Sequence, residues 1–240
     1  PGKLHCEVFD PTKAPREDGS PNYGCGQADA IEVGQTSRTG IGDGRFLANW
    51  VIEFNLLERF GEKGAAVVDA KSGGNVFRFN TLRETEGRLD FRIGPCNQAI
   101  ANDLTEVIAG LAMTINSGQH LLLGNDLGGK TIGVTSGDGA WNDANAVHQA
   151  SYQTRLVGNK ASISVGAYDY SVPARDTVVE ANIGSVNFDN QTGGRSQPTT
   201  TLTIPSTVPL QSDDVGPDVY RSLSTYPTDP GLLITSCPGI

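Results

Sequence analysis

Residues 136–145 read SGDGAWNDAN, a polar loop that concentrates oxygen ligands around an aromatic ring. Asp138, Asn142, Asp143 and Asn145 offer side-chain oxygens, and Trp141 offers a flat apolar face. Two chemistries suit this set. Asp138, Asp143 and Asn145 would hold calcium, a hard cation that takes carboxylate and amide oxygens. Asp138, Trp141, Asn142 and Asp143 would bind a sugar ring, which has an apolar face and a hydroxyl edge. The spacing does not match an EF-hand loop. The same residues would also serve a long turn with Asx hydrogen bonds around a buried Trp.

Other reactive side chains form no catalytic pattern. His5, His120 and His148 lie far apart, and none belongs to an H-E-x-x-H sequence. There is no G-x-S-x-G elbow. Cys96, next to Pro95, would need a histidine partner to act as a nucleophile. The acid pairs Glu84/Glu86 and Asp213/Asp214 flank turns or lie in loops, where carboxylates are usually solvated. The glycine-rich run 40–44 lacks the G-K-[ST] ending of a phosphate loop.

Cys6, Cys25, Cys96 and Cys237 form no C-x-x-C pair. An even number in a loop-rich chain suits two disulfides in an oxidising compartment. The expected pairing is Cys6–Cys25, closing a local loop, with Cys96–Cys237 pinning the C-terminal tail. Asn190-Gln191-Thr192 is an N-glycosylation sequon. The chain opens at Pro1, as a processed or trimmed chain would. Together these features place the protein outside the cell or on a cell or virion surface.

The chain has 240 residues and a net charge of −9, which argues against nucleic acid as a partner. No apolar run approaches the roughly 20 residues of a membrane span. Thirty Gly and 13 Pro suit a turn-rich β fold.

The elements that must position these residues begin with residues 45–94. Ala65–Ala70 is a short apolar run, and the segments 76–81 and 89–93 alternate with period two. Phe46–Phe60 fits both a strand and a helix template. Its Trp-Val-Ile favours β and its Leu-Leu-Glu-Arg favours helix, and strand is chosen because a meander follows. Ile100, Leu104, Val107, Ile108, Leu111 and Ile115 recur at helical spacing and predict a helix over about 98–116, capped by Asn97 and stopped by Gly118. Strands are expected at 30–33, 120–123, 130–135, 161–172, 178–188 and 199–204, with strand or short helix at 147–157. No internal repeat is evident.

These readings combine into a mainly β fold: an antiparallel β-sandwich or jelly-roll-like domain with one amphipathic helix. It is expected over residues 31–204, between an extended arm at 1–30 and a Pro-rich tail at 205–240. The meander at 46–94 is similar to concanavalin A-like and laminin-G-like sandwiches, a resemblance that carries no diagnostic residue. The expected function is a non-enzymatic, self-assembling structural or adhesive subunit whose partners are copies of itself. The alternative is a carbohydrate-binding or carbohydrate-active protein: lectin, glycoside hydrolase or lyase.

Overall fold

A computed structural model describes residues 30–34, 47–59, 65–141, 143, 146–200 and 203–207. Its architecture follows from a turn that recurs along the chain. At Phe54-Asn55, Phe79-Asn80, Ala101-Asn102, Gly124-Asn125, Gly158-Asn159 and Ala181-Asn182, the first residue has a positive φ, from 49° to 65°. A left-handed residue bends the chain sharply between two strands. The Asn that follows stacks on the Asn of the next turn. Asn80, Asn102, Asn125 and Asn159 each accept on Oδ1 from both the backbone N–H and the side-chain amide of the Asn one turn earlier, at 2.9–3.1 Å.

A second corner repeats the device. At Gly74-Asn75, Cys96-Asn97 and Gln119-His120 the first residue again has a positive φ. Asn75 N–H donates to Asn97 Oδ1 at 2.9 Å, and Asn97 N–H donates to His120 Nδ1 at 3.0 Å. Such internal ladders satisfy backbone donors that a buried turn would otherwise strand.

Between the corners run short strands. β1 (Ile31–Gly34), β2 (Val51–Glu53) and β3 (Leu56–Glu58) come first. One full coil is β4 (Ala66–Lys71), β5 (Val76–Arg78) and β6 (Thr81–Arg83), and the next is β7 (Arg88–Phe91), β8 (Gln98–Ile100) and β9 (Asp103–Glu106). The third is β10 (Leu111–Ile115), β11 (Leu121–Leu123) and the start of β12 (Asp126–Thr135), whose second half opens the fourth coil. That coil continues through β13 (Arg155–Val157) into β14 (Lys160–Ala167). β15 (Ala174–Arg175), β16 (Val178–Glu180), β17 (Val186–Phe188), β18 (Gln191–Thr192) and β19 (Arg195–Gln197) complete the described stack.

Every strand-to-strand pairing among the described residues is parallel, and each strand pairs with its counterpart one coil away. One row runs β1–β4–β7–β10–β12–β14–β17, and another runs β2–β5–β8–β11–β13–β16–β19. The third row, β3–β6–β9, joins the start of β12. This is a parallel β-helix. Its core is a set of columns through the coils. Phe77, Ala99, Leu122, Leu156 and Val179 stand in register in one row, and Phe91, Ile115, Val134 and Val165 in another. All are buried. Fully burying each large side chain contributes about 1.5–3 kcal/mol.

The antiparallel sandwich or jelly roll is therefore corrected, and with it the likeness of 46–94 to sandwich families. Alternation reports that a strand is half buried but not the direction of its partner. Here successive strands lie in different sheets, so the turns between them are corners and not hairpins. The helix at 98–116 is also corrected: the segment is β8, β9 and β10. Ala101 has φ 50°, and Ile108, a member of the predicted apolar stripe, is 63 % exposed. The described residues contain no α-helix. Within the expected strand at Phe46–Phe60, the described residues 47–59 hold β2 and β3, broken at Phe54. Thr199, Thr200, Thr203 and Ile204 are not in strand. The expected arm and tail fall almost wholly outside the described residues.

Candidate functional site

On β4 and β7 the alternation that sends Val68, Ala70, Leu89 and Phe91 into the core sends Asp69, Lys71, Arg88, Asp90 and Arg92 outward. Register then makes rows of them. Asp69 pairs with Asp90, and Asp90 with Thr114 of β10. One step along, Arg92 follows β7 beside Lys71, its N–H bonded to the Ala70 carbonyl at 3.0 Å.

Ion pairs lace this face. Lys71 Nζ lies 2.8 Å from Glu32 Oε2 and 3.4 Å from Asp69 Oδ2, and Arg92 Nη1 lies 3.5 Å from the same Asp69 oxygen. Arg88 reaches Asp90 Oδ2 at 3.3 Å and donates through Nε to Thr114 Oγ1 at 2.7 Å. Asn116 donates to Asp90 Oδ1 at 3.4 Å, and Thr135 Oγ1 donates to Asn116 Oδ1 at 2.7 Å. Burial raises the Asp90 pKa despite Arg88 and the Thr114 hydroxyl. Burial also opposes the Lys71 charge, but Glu32 and Asp69 outweigh it and raise its pKa. Lys71 is therefore held as a cation.

A cleft of about 330 Å³ lies over this face. Asp69, Asp90, Thr114 and Asn116 contribute to its floor, Arg88 and Arg92 line it, and His148, Tyr168 and Tyr170 complete it. The His148 ring stacks on Tyr170, with centroids 4.9 Å apart and planes at 22°, and Tyr170 contacts Tyr168 at 6.3 Å. Burial raises the Tyr168 pKa. The cleft thus combines cations, groups able to exchange a proton, and aromatic rings.

The loop singled out in the sequence contributes indirectly. Asp138 Oδ1 accepts the His148 backbone N–H at 3.0 Å, which fixes the chain at the cleft edge. Trp141 stacks on Tyr152, centroids 5.4 Å apart at 12°. The Asp143 carbonyl accepts from Gln149 Nε2 at 3.0 Å. Asn142 and Asn145 lie outside the described residues. Among the described residues no group of three or more His, Cys, Asp or Glu side chains is arranged to hold a metal ion.

The remaining sequence candidates lie elsewhere. Asn190 Nδ2 donates to the Tyr170 carbonyl. His120 is buried in the second ladder. Glu84 pairs with Arg59 at 2.6 Å on the surface. Cys96 is buried and is not a free thiol. Both expected pairings involve cysteines outside the described residues, so no disulfide joins two described positions. His5, Asp213 and Asp214 also lie outside. Sequence reading passed over Asp69, Lys71, Arg88, Asp90 and Arg92. Their signal was the placement of charges at alternate positions in D-A-K and R-L-D-F-R, which is more than solubility requires of a strand.

No protein-family model matches the chain, and no curated protein does. Solved structures do match. The PL6 family alginate lyase AlyGC superposes with a TM-score of 0.58 at 14 % identity, covering 84 % of this chain and 35 % of that one. Alginate lyase AlyF-OU02 gives 0.55 at 12 %, covering 70 % and 44 %. A mannuronic acid specific polysaccharide family 6 lyase from human gut microbiota gives 0.53 at 17 %, covering 70 % and 41 %. The chain spans less than half the length of each. At such identities the likeness shows the fold, a parallel β structure like that of polysaccharide lyases. This fold overturns the expected sandwich, and the structural or adhesive reading that was built on the sandwich loses that support with it. Among the described residues no helix is long and apolar enough to cross a membrane.

Proposed function

We propose that the cleft over β4, β7 and β10 binds an acidic polysaccharide and cleaves it by β-elimination. The observation that carries this reading is the pair of cations, Arg88 and Arg92, that line the cleft, held by Asp90 and Asp69. β-Elimination of a uronate polymer makes three demands. The sugar carboxylate must be neutralised, the proton on the carbon beside it removed, and the leaving oxygen protonated. Arg88 and Arg92, which line the cleft, meet the first demand, since preorganised cations stabilise the charge that grows as the proton departs. His148 and Tyr170, which line the cleft, are the groups placed to exchange a proton. Tyr168 and Tyr170 offer rings against which a sugar face packs.

The substrate class is supported by the neighbours, which are alginate lyases and a mannuronic acid specific lyase by description. A polymer of this kind is met outside the cytoplasm, so the proposal keeps the extracellular location expected from the sequence.

The test is incubation with alginate, polymannuronate and a neutral glucan, following the ultraviolet absorbance of the new carbon–carbon double bond. Absorbance growing with the uronates alone supports the proposal. Binding of uronates without absorbance would assign a lectin role to the same cleft. Neither binding nor cleavage of any uronate would reject it.

A further inference from the structure

The cleft does not end at Tyr168. A second cavity of about 470 Å³ shares that residue and continues over β10, β12 and β14, with Thr131, Gly133 and Ser164 among its lining residues and Asp169 and Asp189 beside them. The two cavities adjoin at Tyr168, one after the other along the stack of coils. Their charges differ. Arg88 and Arg92 line the first, whereas no Lys or Arg lines the second.

The acidic end is built rigidly. Asp189 N–H donates to the Val165 carbonyl at 2.8 Å, and its Oδ2 accepts from Asn187 at 2.7 Å. The Asn190 side chain donates to the Tyr170 carbonyl, which ties the strap bearing Asp169 to the segment bearing Asp189. Gly166, with φ +87°, lets this segment come so close that an added Cβ would lie 2.3 Å from Asn190 N. The two carboxylates are thus presented from segments that cannot easily move apart.

We infer that Tyr168 stands between a half that accepts acidic sugars and a half that rejects them. Asp169 and Asp189 then limit how far an acidic chain extends along the coils. The inference rests on the acidic-polysaccharide reading of the first cavity. Neighbouring strands are about 4.8 Å apart, close to the length of one sugar unit, so each cavity spans only a few units. A uronate chain entering the second half would meet like charges with no cation to offset them, which disfavours binding. The enzyme would then hold its substrate by a short segment and release short products from one side.

Calorimetric titration with di-, tetra- and hexamannuronate tests this. In the unmodified protein, affinity should stop rising once the first half is filled. In D169N/D189N, the hexamer should bind about tenfold tighter than in the unmodified protein, with the gap narrowing as salt screens the carboxylates. D189K should show a larger gain, and melting curves confirm that each variant is folded. Affinity that climbs with length in the unmodified protein and is unchanged in both variants overturns the inference while leaving the first cavity's reading intact. No binding at any length overturns that reading, and this inference falls with it.

Discussion

Asp69 and Asp90 stand directly opposite one another on neighbouring parallel strands, both almost fully buried. Like charges in that relationship destabilise a sheet. Three cations, Lys71, Arg88 and Arg92, compensate them. Keeping two carboxylates there costs stability, and the return is a fixed pair of cations, Arg88 and Arg92, facing the cleft.

Asp90→Asn should therefore be more stable than the unmodified protein at neutral pH. The folded-state pKa of Asp90 is raised, so the stability it contributes is present below the usual carboxylate range and lost as pH rises through the folded value. The advantage of the variant should vanish in acid. Thermal melts across pH check this, and a variant less stable at neutral pH would contradict it.

Arg92→Ala should lower the rate of uronate cleavage by about 10²–10³, the usual cost of removing a group that stabilises developing charge. The side chain is 33 % exposed, so the fold should survive. Arg92→Lys should restore part of the rate. Initial rates by ultraviolet absorbance decide, and an unchanged rate in Arg92→Ala would remove Arg92 from the chemistry.

His120 should make the protein acid-labile. Its Nδ1 accepts from Asn97 N–H, and its Nε2 lies 2.7 Å from the Asn116 carbonyl, which places the single ring proton on Nε2. A second proton would have to sit on Nδ1, facing a donor. Burial accordingly lowers the pKa to about 4. Because the folded value lies below the unfolded one, the unfolded state takes up more protons in between. Stability should fall by about 3 kcal/mol as pH drops from about 6.5 to about 4. His120→Asn, which continues the ladder, should flatten that slope in urea titrations at several pH values.

Asn102→Ala should cost about 3 kcal/mol or more. It strips the Asn80 donors of their acceptor and removes bonds to the Phe77 carbonyl and Asn125. Asn55→Ala, at a part-buried end of the same ladder, should cost about 1 kcal/mol. Denaturant midpoints compare the two, and equal losses would show that ladder position is immaterial.

Several strands were legible in the sequence because β4, β7, β11 and β14 carry local apolar or alternating patterns. Their arrangement was not. The strands of the second and third rows are mostly three or four residues long, too short to show a period. The repeat is carried by Asn55, Asn80, Asn102 and Asn125, spaced 25, 22 and 23 apart, behind Phe, Phe, Ala and Gly. A search for recurring Asn at that interval would have found it. The helix at 98–116 failed because two corner turns inside it happen to space the apolar residues as a helix would. The candidate site was missed because its charges come from separate coils and meet only through register. The polar loop at 136–145 was legible by its composition, and of its described residues Asp138 holds the chain that carries His148.

That loop also marks where the molecule is able to change without being rebuilt. Asn125 and Asn159 are 34 positions apart where their predecessors are 22 to 25 apart, yet the ladder bond between them is as short as the others. The added residues leave the stack at one corner and return in register. Each coil leans only on its neighbours, so such an excursion leaves the rest of the scaffold undisturbed. New side chains reach the cleft by lengthening a corner, and selection on substrate preference is in this way uncoupled from selection on folding.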